Sequence, residues 1–354
     1  MTEPLRYIIV GTGGFGGQWC KEFLPRLTTV GKARAVAAVD VDPAALLNAQ
    51  QYLGLAPERC YADMERAFDE NPADFAIVVV PPAFHERVVD VALAHGCNIL
   101  SEKPMADSMA ACARIYHKVH AAGKKMAVTM SHRFDQDKQT LQAAIQGGEY
   151  GRLNYIAYRF TRNYRAFGSW GKFRHSIPDA LLIDATVHHF DVMRGLSGAD
   201  GKIVYAQTWN PAWGEFAGDS TGLLTISMTN GSHVAYEGAM ANASRMDGWG
   251  RDYIRAECEF GTLELHARKL RLLRGGPNEV PGETELPMLE RPLWMNYWLA
   301  DMYCDWLRGG DPPPTHLDDN IQCAALLFAS IASAHSGQPV DVQGYLQNHL
   351  KTQA

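Results

Sequence analysis

The chain has 354 residues, of which 47% are hydrophobic and 20% charged, so it is long enough for two domains and unlike a disordered chain. Its net charge is −6 without a block of basic residues, which favours neither a nucleic-acid partner nor a membrane surface. No apolar run approaches the roughly 20 residues of a membrane helix, no secretory signal opens the chain, and seven scattered Cys suit reduced thiols. We expect a cytoplasmic enzyme.

The first part of the chain alternates short apolar runs with segments of helical period. The predicted strands are 7–10, 35–39, 75–80, 98–100 and 126–129. Helices are predicted after the glycines that follow the first strand, from Asp42-Pro43, over 85–94 and over 108–121. Continuous apolar strands separated by helices predict a doubly wound parallel sheet covered on both faces, in a domain of residues 1–130.

Beyond residue 131 the runs are longer and their polar and apolar residues interleave. The predicted strands are 153–161, 202–209, 221–229, 232–238, 253–260, 262–266 and 269–273, and helices follow over 294–307 and 320–334. Asn230-Gly231 lies between two of the strands and is a strong hairpin signal. We therefore expect an α/β domain over 131–354 with a large, mostly antiparallel open sheet, whose late helices pack back toward the first domain.

A glycine-rich motif joins the first predicted strand to the first predicted helix. Gly11-Thr12-Gly13-Gly14-Phe15-Gly16 has the form G-x-G-x-x-G, in which backbone N–H groups at a helix start can approach a pyrophosphate. A simple tight turn gives the same pattern. Asp40 ends the second strand, where a carboxylate accepts hydrogen bonds from the adenosine ribose and repels a 2′-phosphate. These residues favour NAD over NADP.

Two further motifs carry groups suited to acid–base chemistry. Lys103, in Glu102-Lys103-Pro104, follows a strand at the carboxyl edge of the predicted sheet, although such a tripeptide also suits a solvated loop. Asp184, His188 and Asp191 have i, i+4 and i+7 spacing, which predicts one stripe of a helix that ends near Gly195.

A carboxylate one helical turn from an imidazole orients it as a general base near neutral pH. The stripe formed by Asp184, His188 and Asp191 also suits an exposed polar face, or a Zn²⁺ or Mn²⁺ site. No additional ligands are recognisable by spacing, so we favour acid–base chemistry and expect no metal.

In combination the motifs resemble the glucose–fructose oxidoreductase, inositol dehydrogenase and rhizopine-catabolism (Gfo/Idh/MocA) family. The resemblance covers essentially the whole chain, through GTGGFG at 11–16, VVVPPAFH at 78–85, SEKP at 101–104 and DATVHHFD at 184–191. It implies a Rossmann domain, a second α/β domain whose open sheet mediates homodimers or homotetramers, and NAD(P)-dependent oxidation of sugars or polyols. It also implies a catalytic group of Lys103, Asp184 and His188.

The resemblance extends to residues that bind cofactor and substrate. The predicted cofactor-binding residues are Gly11, Gly13, Gly14, Phe15, Gly16, Asp40, Pro81, His85, Glu102 and Lys103. The predicted substrate contacts are Arg133, His189, Tyr164, Arg174 and Tyr297, of which the last three also suit surface or packing roles. Thr186 stands where many members of the family have Gly, and we expect it to add bulk near the site.

The expected reaction is reversible hydride transfer between NAD and a secondary alcohol carbon of a sugar, inositol or related polyol. His188 would take the hydroxyl proton, Asp184 would orient it, and Lys103 would stabilise the oxygen or relay its proton. One alternative is a non-catalytic NAD-binding sensor or scaffold, which needs no Lys and His pair. The other is a reductase or eliminase of the same fold that acts on a C=C bond, an imine or a glycosidic substrate.

Overall fold

The computed structural model of the chain describes residues 3–353, which form two compact units. The first unit contains the chain up to Ser131, then Leu293–Ile321, and the residues from His349 onward. The second contains His132–Pro292 and Gln322–Asn348. Within residues 3–353 there is no helix with the length and apolar character needed to cross a membrane.

The first unit is built on a six-stranded sheet in which every strand pair is parallel. Its strands are β1 Leu5–Val10, β2 Ala33–Val39, β3 Cys60–Tyr61, β4 Phe75–Val78, β5 Asn98–Ser101 and β6 Met126–Val128. Their order, β3-β2-β1-β4-β5-β6, places the reversal of strand order between β1 and β4, where doubly wound sheets bind ligands. The predicted parallel sheet is confirmed.

Helices connect these strands, and all of them except α4 lie where the sequence predicts helix. They are α1 Gly14–Gln18, α2 Leu24–Thr29, α3 Pro43–Leu53, α4 Met64–Glu70, α5 His85–Ala94 and α6 Met109–Ala121. The Asp42 carboxylate accepts a hydrogen bond from the N–H of Ala44 at 2.9 Å and so caps α3, as predicted. A π-helical turn, Trp19–Phe23, lies between α1 and α2, where one continuous helix was predicted.

The second unit contains a nine-stranded sheet in the order β14-β13-β12-β11-β7-β10-β9-β8-β15. Its strands are β7 Leu153–Thr161, β8 Gly201–Trp209, β9 Thr221–Met228, β10 His233–Ala239, β11 Tyr253–Cys258, β12 Gly261–His266, β13 Lys269–Arg274, β14 Gly282–Leu286 and β15 Val340–Asp341. The pairing of β7 with β10 is parallel and the other neighbouring pairs are antiparallel. The prediction of a large, mostly antiparallel sheet is confirmed.

Alternating burial along the strands gives this sheet one covered face. On β7 the side chains of Ile156, Tyr158 and Phe160 are buried, while Ala157 and Arg159 between them are partly exposed. Helices α7 Gln136–Gln146, α8 Lys172–Ser176 and α9 Val187–Ser197 belong to this unit.

Three helices complete the chain. Helix α10 Met295–Leu307 belongs to the first unit. Helices α11 Leu317–Ser336 and α12 Val342–Thr352 each contribute residues to both units.

A fully buried ionic cluster connects α7 to the sheet of the second unit. The ammonium of Lys138 lies 2.5 Å from Asp252, with Asp135 and Asp137 within 3.4 Å. Asp252 also accepts a hydrogen bond from the Tyr158 hydroxyl at 3.0 Å. Burial lowers the pKa of Lys138, but its attraction to Asp252 and Asp137 outweighs this effect and the net shift is upward. The cluster is therefore held together by opposite charges in a dry interior.

We expect Lys138→Met to destabilise the protein by about 3–5 kcal/mol, because the change leaves the carboxylate of Asp252 buried without its cation. Urea denaturation of the wild type and the variant measures the difference. The matched control is Lys269→Met, since Lys269 is exposed and pairs with Glu285 at 3.6 Å, and its expected cost is under about 1 kcal/mol. Equal losses of unfolding free energy in the two variants would show that the buried cluster stabilises the protein no more than an exposed ion pair does.

Candidate active site

The loop after β1 has a shape that only glycine permits at two positions. Gly11 has φ +92°, and a Cβ atom there would lie 2.0 Å from the carbonyl oxygen of Val79. A Cβ on Gly16 would lie 2.2 Å from the carbonyl oxygen of Gly11. Gly14, at the start of α1, has open space around it, since nothing lies within 4 Å of the position that a Cβ atom would take. The backbone thus leaves room for a pyrophosphate beside the helix start, and the residues present fit a dinucleotide.

Asp40 holds this loop in place. Its Oδ2 accepts hydrogen bonds from the N–H groups of Thr12 at 2.7 Å and Gly13 at 3.0 Å, and its Oδ1 accepts one from the N–H of Asp42 at 2.9 Å. A carboxylate has about four lone-pair sites, so acceptor capacity remains for a ribose hydroxyl. The side chain suits both tasks, fixing the glycine loop and binding the adenosine ribose.

Lys103 follows β5 on a loop that a buried carboxylate supports. The Glu102 carboxylate accepts hydrogen bonds from Trp19 Nε1 at 2.8 Å and from the N–H of Lys103 at 3.2 Å. Burial raises the pKa of Glu102. Glu102 is buried and Lys103 is half-buried. Since the Glu102 carboxylate binds the N–H of Lys103 from the interior, Glu102 supports the loop that carries the lysine.

The loop after β4 carries two more residues predicted to bind the cofactor. Pro81 is exposed, whereas His85 has no exposed surface. His85 Nε2 lies 2.8 Å from the carbonyl oxygen of Val80 and Nδ1 lies 3.2 Å from that of Met105, so the ring links two loops at the sheet edge. Burial lowers the pKa of His85. His85 therefore connects two loops. Phe15, another predicted cofactor-binding residue, is 43% exposed at the surface of the glycine loop.

His188, the second residue of α9, contacts two aromatic rings, which also contact each other. Its ring centroid is 4.5 Å from that of His132, at an interplanar angle of 36°, and 5.8 Å from that of Trp249. His132 and Trp249 also meet edge-on at 5.0 Å. Neither neighbour was identified from the sequence, although His132 precedes the predicted contact Arg133. Trp249 lies between two glycines. An aromatic residue in such a glycine-rich stretch was the signal by which the sequence could have indicated a functional residue here.

Two buried aspartates fix the loop that carries Trp249. On one side, Asp247 accepts hydrogen bonds from Arg159 Nε at 2.7 Å and from the Thr161 hydroxyl at 3.2 Å, both on β7. On the other side, Asp252 belongs to the ionic cluster of Lys138. Trp249 is therefore held from both ends against the ring of His188.

The carboxylates on either side of His188 pair with different arginines. Asp184 Oδ2 accepts a hydrogen bond from Arg174 Nε at 2.6 Å. Asp191 has no exposed surface and accepts hydrogen bonds from Arg133 Nε at 2.9 Å and Nη2 at 2.6 Å. Asp184 lies in a π-helical stretch, Leu181–Thr186, that precedes α9, whereas His188 and Asp191 lie in α9 itself, and a single stripe of the three stays a prediction.

The structure corrects the end of this helix. Gly195 lies inside α9, which ends at Ser197 with Gly198 in the left-handed conformation, φ +64°. A Cβ on Gly195 would lie 3.4 Å from Arg133 Nε, so the glycine makes room for this arginine. Arg133 is 7% exposed and bridges to Asp191, and a substrate contact by Arg133 stays a prediction.

Within residues 3–353 no three or more His, Cys, Asp or Glu side chains are grouped to hold a metal ion.

His189 and Thr186 lie in the core beneath the site. His189 has no exposed surface and its Nδ1 lies 2.8 Å from the Tyr236 hydroxyl, which is also 3.0 Å from the Thr186 hydroxyl. Burial lowers the pKa of His189 to about 3, so this ring is neutral at pH 7. The Thr186 side chain is buried beside Tyr236, and the expectation that it adds bulk near the site stays a prediction.

The remaining predicted substrate contacts make packing interactions. Tyr164 stacks on Trp170 with ring centroids 5.5 Å apart and an interplanar angle of 3°. Arg174 lies 5.4 Å from the Trp170 ring as well as bonding to Asp184. Tyr297, in the first unit, meets Phe23 edge-on at 5.0 Å.

The six-stranded parallel sheet with its glycine loop and Asp40 defines a dinucleotide-binding fold. Residues 5–130 match the oxidoreductase family with an NAD-binding Rossmann fold, and residues 138–264 match the GFO/IDH/MocA C-terminal domain. The chain belongs to the Gfo/Idh/MocA family, and its first domain binds NAD.

Several relatives are similar over most of the chain. The uncharacterized protein y4oX of Sinorhizobium fredii is 42% identical over 347 residues, 96% of each chain. A D-apiose dehydrogenase of Rhizobium rhizogenes is 24% identical over 327 residues, 89% of this chain and 92% of its own. The crystal structure of an Agrobacterium radiobacter oxidoreductase with NAD⁺, L-tartaric acid and magnesium has a TM-score of 0.84 at 21% identity, covering 97% and 99% of the two chains. At 21% identity, this structural similarity shows only that the two chains share a fold.

We expect Asp40→Ser to weaken NAD binding and to narrow the preference for NAD over NADP. The ribose acceptor, the charge that repels a 2′-phosphate and a support of the glycine loop are lost together. Fluorescence titration with NADH and NADPH measures both affinities.

The control for Asp40→Ser is Asp42→Ser, which removes a neighbouring exposed carboxylate while Ser still caps α3. It should leave the preference unchanged. A wild-type protein that binds NADPH clearly better than NADH would contradict the role given to Asp40.

Proposed function

We propose that the protein transfers a hydride between NAD and a secondary alcohol carbon of a sugar, inositol or related polyol. The observation that carries the proposal is the buried imidazole of His188, in contact with the rings of His132 and Trp249, in a chain that also binds NAD. Relatives named inositol 2-dehydrogenase and D-apiose dehydrogenase support the substrate class. The bound nicotinamide supplies the two-electron acceptor for this reaction.

His188 removes the hydroxyl proton as the alcohol carbon is oxidised. A general base must be fixed within hydrogen-bond reach of the proton that it takes, and the rings of His132 and Trp249 restrict its orientation. The ring is only 8% exposed, so few water molecules compete for its nitrogen atoms. The arrangement suits proton transfer to a substrate rather than to solvent.

Asp184 and Lys103 complete the proposed catalytic group. Asp184, four residues before His188, orients the imidazole while Arg174 balances its negative charge. Lys103 places an ammonium group at the carboxyl edge of the NAD-binding sheet, where it stabilises negative charge that develops on the substrate oxygen. A protein that only sensed NAD would need neither group.

Lys103→Met and His188→Ala should each lower kcat by about 10²–10⁴-fold, because a positioned acid–base group acts mainly in the transition state. NAD affinity should change little in His188→Ala and modestly in Lys103→Met, since Lys103 is also a predicted cofactor-binding residue. The double variant should lose less than the product of the two effects, since both act in one step. A screen at 340 nm with NAD and NADP against inositols, aldoses and sugar lactones supplies the substrate.

The matched controls for this pair are Lys269→Met and His233→Ala, two exposed residues of the second unit. Both should keep wild-type turnover. Near-wild-type turnover in Lys103→Met or in His188→Ala would remove that residue from the mechanism. NAD binding without turnover of any compound in the screen would favour a sensor or scaffold.

We also propose that the nine-stranded sheet pairs with a second copy of the chain, giving a homodimer or homotetramer. Ile203, Trp209 and Leu223, on β8 and β9, are 41–49% exposed although large and apolar. Exposed apolar side chains grouped on adjacent strands are typical of an interface. A twofold axis brings the same patch of each copy together.

Leu223→Arg should shift the protein toward monomer in size-exclusion chromatography with light scattering, because two like charges would then face each other across the twofold axis. The control is Val280→Arg, at a residue that is 93% exposed and lies outside the strands. A wild-type monomer, or an unchanged oligomer in Leu223→Arg, would contradict this interface.

A further inference from the structure

A strongly basic stretch lies between β7 and the π-helical turn that carries Asp184. We call residues 162–174 the basic segment. It contains four basic residues and neither Asp nor Glu, in a chain whose net charge is −6. The basic residues are Arg162, Arg165, Lys172 and Arg174, and they alternate with the aromatic residues Tyr164, Phe167, Trp170 and Phe173. Positive charge is therefore concentrated in one place.

Contacts within the second unit place the basic segment beside His188. Arg174 bonds to Asp184, four residues before His188. Tyr164 and Trp170 pack on the same buried hydrophobic cluster as Trp249, whose ring contacts His188. The segment and the proposed base thus share one supporting core.

Arg162 approaches this centre along the loop that carries Trp249. Gly248, the residue before Trp249, has φ +127°, and a Cβ there would lie 2.5 Å from Arg162 Cδ. The arginine side chain therefore lies directly against the backbone next to Trp249. Its guanidinium lies 4.8 Å from the Tyr164 ring, and Nη2 donates a hydrogen bond to the Tyr164 hydroxyl at 2.6 Å.

The charge of Arg162 is not balanced by a carboxylate of the described chain. Arg174 has Asp184 as its partner, whereas the contacts of Arg162 are with neutral Tyr164. The carboxylate that contacts the segment's backbone, that of Glu215, accepts its hydrogen bond from the N–H of Phe167 at 2.5 Å. A half-buried guanidinium that faces an aromatic ring is partly desolvated, so an anionic ligand gains more from it than from an exposed arginine.

We infer that the substrate is an anionic polyhydroxy compound, whose carboxylate or phosphate group is bound by Arg162 while His188 acts on a secondary alcohol of the same molecule. This inference rests on the proposed function and names its substrate class. The acidic group takes no part in the chemistry. The C–H bond of the alcohol carbon breaks and its hydride would pass to bound NAD, while His188 takes the hydroxyl proton and the carbonyl forms. The anion only fixes the position of the substrate. Arg165 and Lys172 add to the field that attracts it.

The test compares matched ligands that share a polyol chain and differ in whether one terminal group is neutral or anionic. Glucitol, mannitol and galactitol are titrated against the protein with bound NADH, together with their aldonates and their 6-phosphates, by calorimetry. We expect at least one anionic ligand to bind about 10-fold more tightly than its neutral alditol at low salt, with a smaller advantage at higher salt because the attraction is screened. The aldonates and the phosphates separately show which anion the site prefers.

Arg162→Gln should reduce the affinity of that anionic ligand about 10-fold or more and leave the neutral alditol unaffected. Arg162→Lys keeps the charge and should restore part of the affinity. The matched control is Arg152→Gln, because the Arg152 side chain is 90% exposed and pairs with Glu259 elsewhere in the second unit, and it should change nothing. Circular dichroism confirms that each variant is folded.

Equal affinity for neutral and anionic ligands, or an Arg162→Gln variant that binds the anion as wild type does, would overturn the inference. Reduction of NAD by neutral polyols alone would overturn it too, while leaving the proposed dehydrogenase function intact. If an anion binds in an Arg162-dependent way but never reduces NAD, the anion site stands and the proposed dehydrogenase function fails.

Discussion

The buried carboxylate of Asp252 is the interaction on which the second unit depends. It joins the ammonium of Lys138 on α7 to the hydroxyl of Tyr158 on β7, and it ends the loop that presses Trp249 against His188. In a dry interior such a pair is stable only when each charge has its partner and the remaining polar atoms are bonded. The loop that places Trp249 beside the proposed base is thus anchored by a buried charge cluster.

The helix that carries His188 is held by arginines from two different segments. Arg133 binds Asp191 in the interior, and Arg174 binds Asp184 at the half-exposed end. The first pair is buried and fixes α9 in the unit. The second pair is partly exposed, and it links the proposed catalytic carboxylate to the basic segment. The stretch around His188 is therefore anchored by a buried ion pair on one side and by a partly exposed ion pair on the other.

Strands with a clear pattern were predictable, and those without one were not. The hairpin at Asn230-Gly231 joins β9 and β10 in antiparallel register as predicted, since both turn residues tolerate a positive φ. Strand β14 was missed because its residues are mostly exposed, so no burial alternates along it. Strand β15 has only two residues and exists through its pairing with β8, far away in the sequence.

The sequence by itself determined the features that depend on neighbouring residues. These are the glycine loop between β1 and α1, the cap of α3 by Asp42, and the parallel and antiparallel character of the two sheets, for each of which local sterics or periodicity is sufficient. Only the tertiary structure decided the partners of Asp184 and the rings around His188. A carboxylate pairs equally well with any arginine that reaches it, and which one does so depends on long-range packing that no local spacing encodes.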